Sequence, residues 1–214
     1  MSAYGFARKC VEIFFLHIKY KAAVLNPENI PDLSGGFIVA CNHQSYSDPP
    51  VLAGVFKGKF SFMAKSELFK NKLFAWIITK CGAFPVVRGA KDTGALDRAV
   101  EDLKKNRIFV IFPEGTRSKD GVIARAKSGV AMIAGMADAP VVPVCIMYGV
   151  DGKKRHIAVA VGEMIPKEEI VLEDMTDRKQ IKQVSSRIMD DITQLQRQIC
   201  GEYHIPVPGS EALL

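Results

Sequence analysis

The run Asn42-His43-Gln44-Ser45-Tyr46-Ser47-Asp48 closes an apolar stretch and places a histidine five residues ahead of an aspartate. A hydroxyl is a poor nucleophile until a base takes its proton, and an imidazole titrating near neutrality suits that task. A carboxylate bonded to the far ring nitrogen fixes the tautomer and stabilises the imidazolium. Five residues across a strand-to-helix turn can bring His43 and Asp48 together. Taken alone, the same pair admits a structural role, with Asp48 capping a helix and His43 bonding a loop. The chain has no G-x-S-x-G elbow, so covalent serine catalysis lacks its usual signature. Cys41 is a second candidate nucleophile, although a cysteine packed in a strand is the commoner case.

About 65 residues later a second polar cluster, F-P-E-G-T-R-S over residues 112–118, follows another apolar run. Gly115 permits a positive φ or a close backbone approach. Arg117 can hold a phosphate bidentately and Thr116 can donate to it. Glu114 cannot bind phosphate itself, and either orients Arg117 or accepts from a substrate hydroxyl. Arg88, at the end of another predicted strand, supplies a second cation. For either arginine alone a surface ion pair is the structural alternative. No G-x-x-x-x-G-K-[ST] loop occurs, and His17, His156 and His204 lie at no metal-ligand spacing, so neither a nucleotide P-loop nor a metal site is expected.

These clusters must be carried by strands and helices. Apolar runs predict strands over 37–41, 59–63, 83–87, 108–112, 141–147 and 156–161. Helices are predicted after Asp48-Pro49 and over 66–80, 94–105 and 127–137. A final helix carries Ile181, Val184, Ile188, Ile192, Leu195 and Ile199 on one face. Strands alternating with helices imply an α/β fold: a single layered domain over 25–200, with a mixed, largely parallel sheet flanked by helices. Polar clusters at strand ends are where such sheets place their sites. Residues 201–214 are expected to form a loose tail.

The chain has 214 residues and a net charge of +6, from 29 Lys and Arg against 23 Asp and Glu. That charge suits an anionic membrane surface or anionic small molecules. No basic block with interleaved stacking aromatics occurs, so nucleic acid is not expected as a partner. The five cysteines, Cys10, Cys41, Cys81, Cys145 and Cys200, are widely spaced and read as reduced. No apolar stretch is long enough to span a bilayer. Residues 1–24 mix Phe6, Ile13, Phe14 and Ile18 with Arg8, Lys9, Lys19 and Lys21, the pattern of an N-terminal amphipathic helix that lies in a membrane interface or, alternatively, packs on the domain. Residues 68–78, with the single tryptophan, are a second candidate contact face, with simple core packing the favoured alternative.

The clusters resemble the motif series of the lysophosphatidic acid acyltransferases (1-acylglycerol-3-phosphate O-acyltransferases). Residues 42–50 resemble their N-H-x-S-x-x-D-P motif. Residues 82–88, ending in Arg88, resemble the second, and 112–118 the third. Val142-Pro143-Val144 resembles the fourth, and Lys127-Ser128-Gly129 a K-x-G that follows the third. The resemblance covers roughly residues 37–165 in the family's order and spacing. It implies transfer of a fatty acyl group from coenzyme A or acyl carrier protein to the hydroxyl of lysophosphatidic acid, giving phosphatidic acid without a cofactor. It makes His43 the general base and Asp48 its partner. Arg88, Glu114, Gly115, Thr116 and Arg117 would bind the phosphorylated acceptor. The implied location is peripheral, on the cytoplasmic face of a membrane. Two departures stand out. The N-terminal region is short, so the transmembrane anchor of larger relatives is not expected. Ala126 precedes Lys127 where the family has an aromatic. Other acceptors (a lysophospholipid or a lyso-ornithine lipid), thioester hydrolysis and a non-catalytic lipid-binding role remain alternatives at the level of sequence.

Overall fold

Parallel strands covered on both faces need apolar side chains throughout, which is why the central strands stand out as unbroken apolar runs. The computed structural model describes residues 13–32, 35–86 and 93–210. Its strands are β1 (Lys21–Leu25), β2 (Phe37–Cys41), β3 (Phe60–Lys65), β4 (Ala83–Val86), β5 (Ile108–Ile111), β6 (Val141–Tyr148) and β7 (His156–Val161). They form one sheet in the order β1-β7-β6-β2-β5-β3-β4, parallel throughout except between β6 and β7. Every residue of β2 is buried, as expected for a strand near the middle of the sheet.

The helices are α1 (Asp48–Val55), α2 (Lys72–Lys80), α3 (Thr93–Lys104), α4 (Gly129–Ala137) and α5 (Arg178–Glu202). Val51, Leu52 and Val55 of α1 pack with Phe37, Val39 and Cys41 on one face of the sheet. Ile133 of α4 and Ile188, Ile192 and Ile199 of α5 pack with Ile38, Ala40 and Phe109 on the other. The result is the expected layered α/β architecture. Asp177 starts α5 by accepting from the amides of Lys179 and Gln180, a side-chain N-cap.

Three stretches differ from the sequence expectation. The helix expected over 66–80 divides into a 3-10 turn, Ser66–Phe69, and α2. Asn71 caps α2 by accepting from the amide of Phe74, and that cap fixes the later start. The segment expected over 1–24 contains β1 near its end, so its boundary falls inside a strand. Lys21–Leu25 pairs with β7, a partner about 135 residues away that no local pattern reveals. Ahead of β1 lies a π-helical segment, Ile13–Lys19, whose Leu16 packs on Gly54 of α1; residues 1–12 lie outside the described part. At the other end α5 runs past residue 200, and Tyr203, Ile205 and Val207 of the expected loose tail pack back on the core.

The register brings the polar clusters together. Ala40 of β2 pairs with Ile111 of β5, so His43 and Glu114 each emerge three residues beyond a matched pair. Because the strands are parallel, both chains leave the sheet at the same edge.

One buried polar knot ties α3 to the sheet. The Asp102 carboxylate, almost wholly buried, accepts from Ser61 Oγ at 2.5 Å and Arg98 Nε at 3.1 Å, with Arg107 Nη1 at 3.2 Å from its other oxygen. Asp102→Ala leaves Ser61 without its partner, and should lower stability by about 1–3 kcal/mol. Urea titration should show a lower midpoint at an unchanged slope.

Candidate active site

Asn42 follows directly on β2, and its side chain continues the sheet. Its Oδ1 accepts from Ile146 N at 2.8 Å and its Nδ2 donates to Ile146 O at 3.0 Å. This two-point bond to β6 aims the chain into His43. His43 Nδ1 lies 2.7 Å from Asp48 Oδ2. The same oxygen accepts from the amides of Gln44 and Ser45, each at 2.8 Å. Oδ1 accepts from the Tyr148 hydroxyl at 2.6 Å. Asp48 is 0% exposed, so these donors replace the water its charge has lost. With the carboxylate on Nδ1, that nitrogen carries the proton and Nε2 is left as the acceptor. Phe112 stacks on the imidazole with centroids 4.0 Å apart and fixes the plane of the ring.

Asp48 does not cap α1. It is the first residue of the helix, Ser47 occupies the N-cap position, and the carboxylate turns back onto the preceding loop. Tyr148, at the end of β6, escaped the sequence reading, because nothing in an apolar strand marks which polar tip will reach a carboxylate about 100 residues away. Burial first, and then the Asp48 charge, push its phenol far up, so it remains a donor. Burial, followed by the Asp48 charge, also pushes the Cys41 thiol well up; fully buried, it is a core thiol, not a nucleophile. Among the described residues no group of His, Cys, Asp and Glu side chains is arranged to hold a metal ion.

The second cluster is stapled to the first. Glu114 Oε1 accepts from His43 N at 2.8 Å and Oε2 from Ala124 N at 3.0 Å. Ser118 N donates to His43 O at 2.8 Å. Glu114 is 4% exposed, and burial raises its pKa against the opposing pull of its two amide donors. Arg117 does not rest on Glu114; its guanidinium lies 3.6 Å above the Tyr46 ring, a cation–π contact. Gly115 has φ +70°, and a Cβ there would stand 2.8 Å from Lys127 Nζ. A side chain at 115 would therefore displace the lysine that overlies this loop and would be strained by the left-handed backbone. Arg88 lies outside the described residues.

His43, Gly115, Thr116, Arg117 and Lys127 line one cleft of about 2520 Å³. Phe62, Met63, Leu68, Phe74 and Ile77 line the same cleft. It therefore offers cations and an imidazole together with an apolar wall, which fits a molecule with an anionic head and a hydrocarbon chain.

The family model for Acyltransferase matches residues 21–147. A 1-acyl-sn-glycerol-3-phosphate acyltransferase of Streptococcus pneumoniae is 36% identical over 143 residues, 66% of this chain and 53% of that protein. The chain thus spans about half the length of that relative. The protein of the same description from Bacillus subtilis is 34% identical over 152 residues, 71% of this chain and 74% of that one. Among solved structures, the 1-acyl-sn-glycerophosphate (LPA) acyltransferase PlsC from Thermotoga maritima superposes with a TM-score of 0.69 at 29% identity, over 90% of this chain and 81% of that one.

Two outcomes follow from this geometry. Tyr148→Phe strips a donor from a buried oxygen of Asp48 and should cost about 1–3 kcal/mol, read from the urea midpoint. For Glu114 the native pKa is raised, so its carboxyl binds protons more tightly folded than unfolded, and stability falls as pH rises through the raised pKa. The advantage of wild type over Glu114→Gln should therefore shrink as pH rises above the ordinary glutamate pKa of about 4. A difference that grows over that range contradicts the assignment.

Proposed function

Because the chain belongs to the acyltransferase family, we propose that it transfers a fatty acyl group from an acyl thioester to the free hydroxyl of 1-acylglycerol-3-phosphate, giving phosphatidic acid. The observation that carries this reading is that His43, bonded from behind by the buried Asp48, lines the same cleft as Arg117. His43 Nε2 takes the acceptor's hydroxyl proton as its oxygen attacks the thioester carbonyl carbon. Negative charge moves onto the carbonyl oxygen, then returns as the carbon–sulfur bond breaks. The leaving thiolate takes the proton from the imidazolium and departs as a thiol, so the base is restored. Asp48 holds the ring and balances its transient charge.

Arg117 and Thr116 hold the phosphate, with Gly115 leaving room for it beside Lys127 and with Arg88 as a further cation. Glu114 contributes by position: its carboxylate fixes the backbone of His43 relative to the phosphate-binding loop. The donor is coenzyme A or acyl carrier protein bearing the acyl group, and no cofactor is consumed. The site of action is the cytoplasmic face of an anionic membrane, reached peripherally. Among the described residues no helix is long and apolar enough to cross a membrane.

The decisive measurement crosses acyl-coenzyme A and acyl carrier protein donors with lysophosphatidic acid. Thiol release should require the acceptor, and hydrolysis without it points to a thioesterase instead. His43→Ala should lose at least about 10²-fold in kcat with its circular dichroism unchanged; full activity in that variant overturns the base assignment. Arg117→Ala should raise KM for the acceptor about tenfold or more, as loss of a charge-assisted bond does. Equal turnover of an acceptor lacking a phosphate monoester would reassign the substrate.

A further inference from the structure

We propose that α2 is the surface by which the protein seats on an anionic lipid bilayer, and that the lipid acceptor enters the cleft past this helix. The inference rests on the proposed function for its second half only. α2 buries none of its residues, unlike α1, α4 and α5. Leu73 is 70% exposed, Trp76 62%, and Phe74 and Ile77 44% each. Four large apolar side chains on a nine-residue helix form an exposed cluster of a kind that monomeric proteins seldom leave facing water without a partner.

The chemistry around the cluster names that partner. Lys70, Lys72 and Lys80 bracket it, all are exposed, and none has an ion-pair partner among the described residues. No acidic residue occurs between Glu67 and Asp92. Apolar and aromatic side chains flanked by free lysines match the head-group boundary of an anionic leaflet, where the apolar bulk inserts and the ammonium groups stay at the phosphates. At about 1.5 Å rise per residue α2 is far too short to span, so it lies along the interface.

The cluster is also continuous with the cleft. Phe74, Ile77 and Ile78 of α2 line the same cavity as His43 and Arg117. A lysolipid moving from the bilayer to the base therefore keeps its hydrocarbon chain against apolar side chains, where passage through water would expose it. A second copy of the chain is a poorer occupant. The patch is small beside the roughly 800 Å² per partner of a stable interface, and a two-fold contact would bring unpaired lysines face to face.

Trp76 is the only tryptophan in the chain, so it reports on this surface without labelling. Vesicles of phosphatidylglycerol and phosphatidylcholine added to the full-length protein should shift its emission to the blue, and acyl-brominated lipid should quench it. Both effects should weaken with salt and in pure phosphatidylcholine. The triple variant Lys70→Glu/Lys72→Glu/Leu73→Glu alters exposed side chains outside the cleft lining. It should bind vesicles about tenfold or more weakly, and turn over vesicle-borne acceptor correspondingly less. Turnover of a short-chain, water-soluble acceptor should stay within about twofold of wild type.

An unshifted, unquenched Trp76 on vesicles that do bind the protein overturns the proposal. So does release from vesicles by Phe14→Glu/Ile18→Glu when the α2 variant binds normally, which would put the anchor at the N-terminal segment. A blue shift that grows with protein concentration in the absence of lipid assigns the patch to self-association and also overturns it. Insertion of Trp76 without turnover of any acceptor would sink the acyltransferase reading and leave α2 as the membrane-docking surface.

Discussion

A carboxylate with no exposed surface must be matched by donors, and Asp48 imposes that requirement on every element around it. The donors come from three places: the imidazole of His43, the amides of the loop between β2 and α1, and the hydroxyl of Tyr148 at the end of β6. Each is held by something else. The loop is aimed by Asn42, which borrows both hydrogen-bonding groups of Ile146. Tyr148 is braced edge-on by Tyr20, which with Lys19 also bonds Ser47 beside the dyad. The charge of one buried aspartate thus links the N-terminal segment, β2, α1 and β6 into a single rigid surround for the imidazole.

The second organising feature is the parallel register of β2 and β5. It delivers two loops side by side at one edge of the sheet, and Glu114 then fastens them with one oxygen on each side. A lysine or arginine alone could not set the distance between His43 and the loop after β5, because long cationic side chains are flexible at the surface. A short buried carboxylate bonded to two backbone amides can. The cations are left free to meet the ligand: Arg117 rests on the exposed ring of Tyr46, which holds it without neutralising it.

The family motifs and the polar clusters were legible in the sequence because chemistry at a strand end needs particular residue types in a fixed order. The central strands were legible because full burial demands unbroken apolar runs, as in Phe37–Cys41 and His156–Val161, where expectation and structure coincide. Legibility failed where an element depends on a distant partner. β1 is a short edge strand that exists because β7 is there to pair with it. The tail beyond α5 looked unstructured because Tyr203, Ile205 and Val207 are too sparse to form a pattern, yet the core supplies a surface for them. Glu114 was expected to serve Arg117 or the substrate, and the amides of His43 and Ala124 take both its oxygens.

What the sequence by itself determined is the inventory: a histidine, a carboxylate five residues on, a glycine and an arginine in one short loop, and an α/β alternation to carry them. These follow from local rules, since periodicity and turn chemistry act within a few residues of one another. What only the tertiary structure decided is the pairing. Tyr148 completes Asp48, Glu114 locks His43, Lys127 overlies Gly115, and α2 keeps its apolar side chains in solvent. Each of these depends on which surfaces meet once the chain is folded, and that is set by sheet order and burial, which no local pattern encodes.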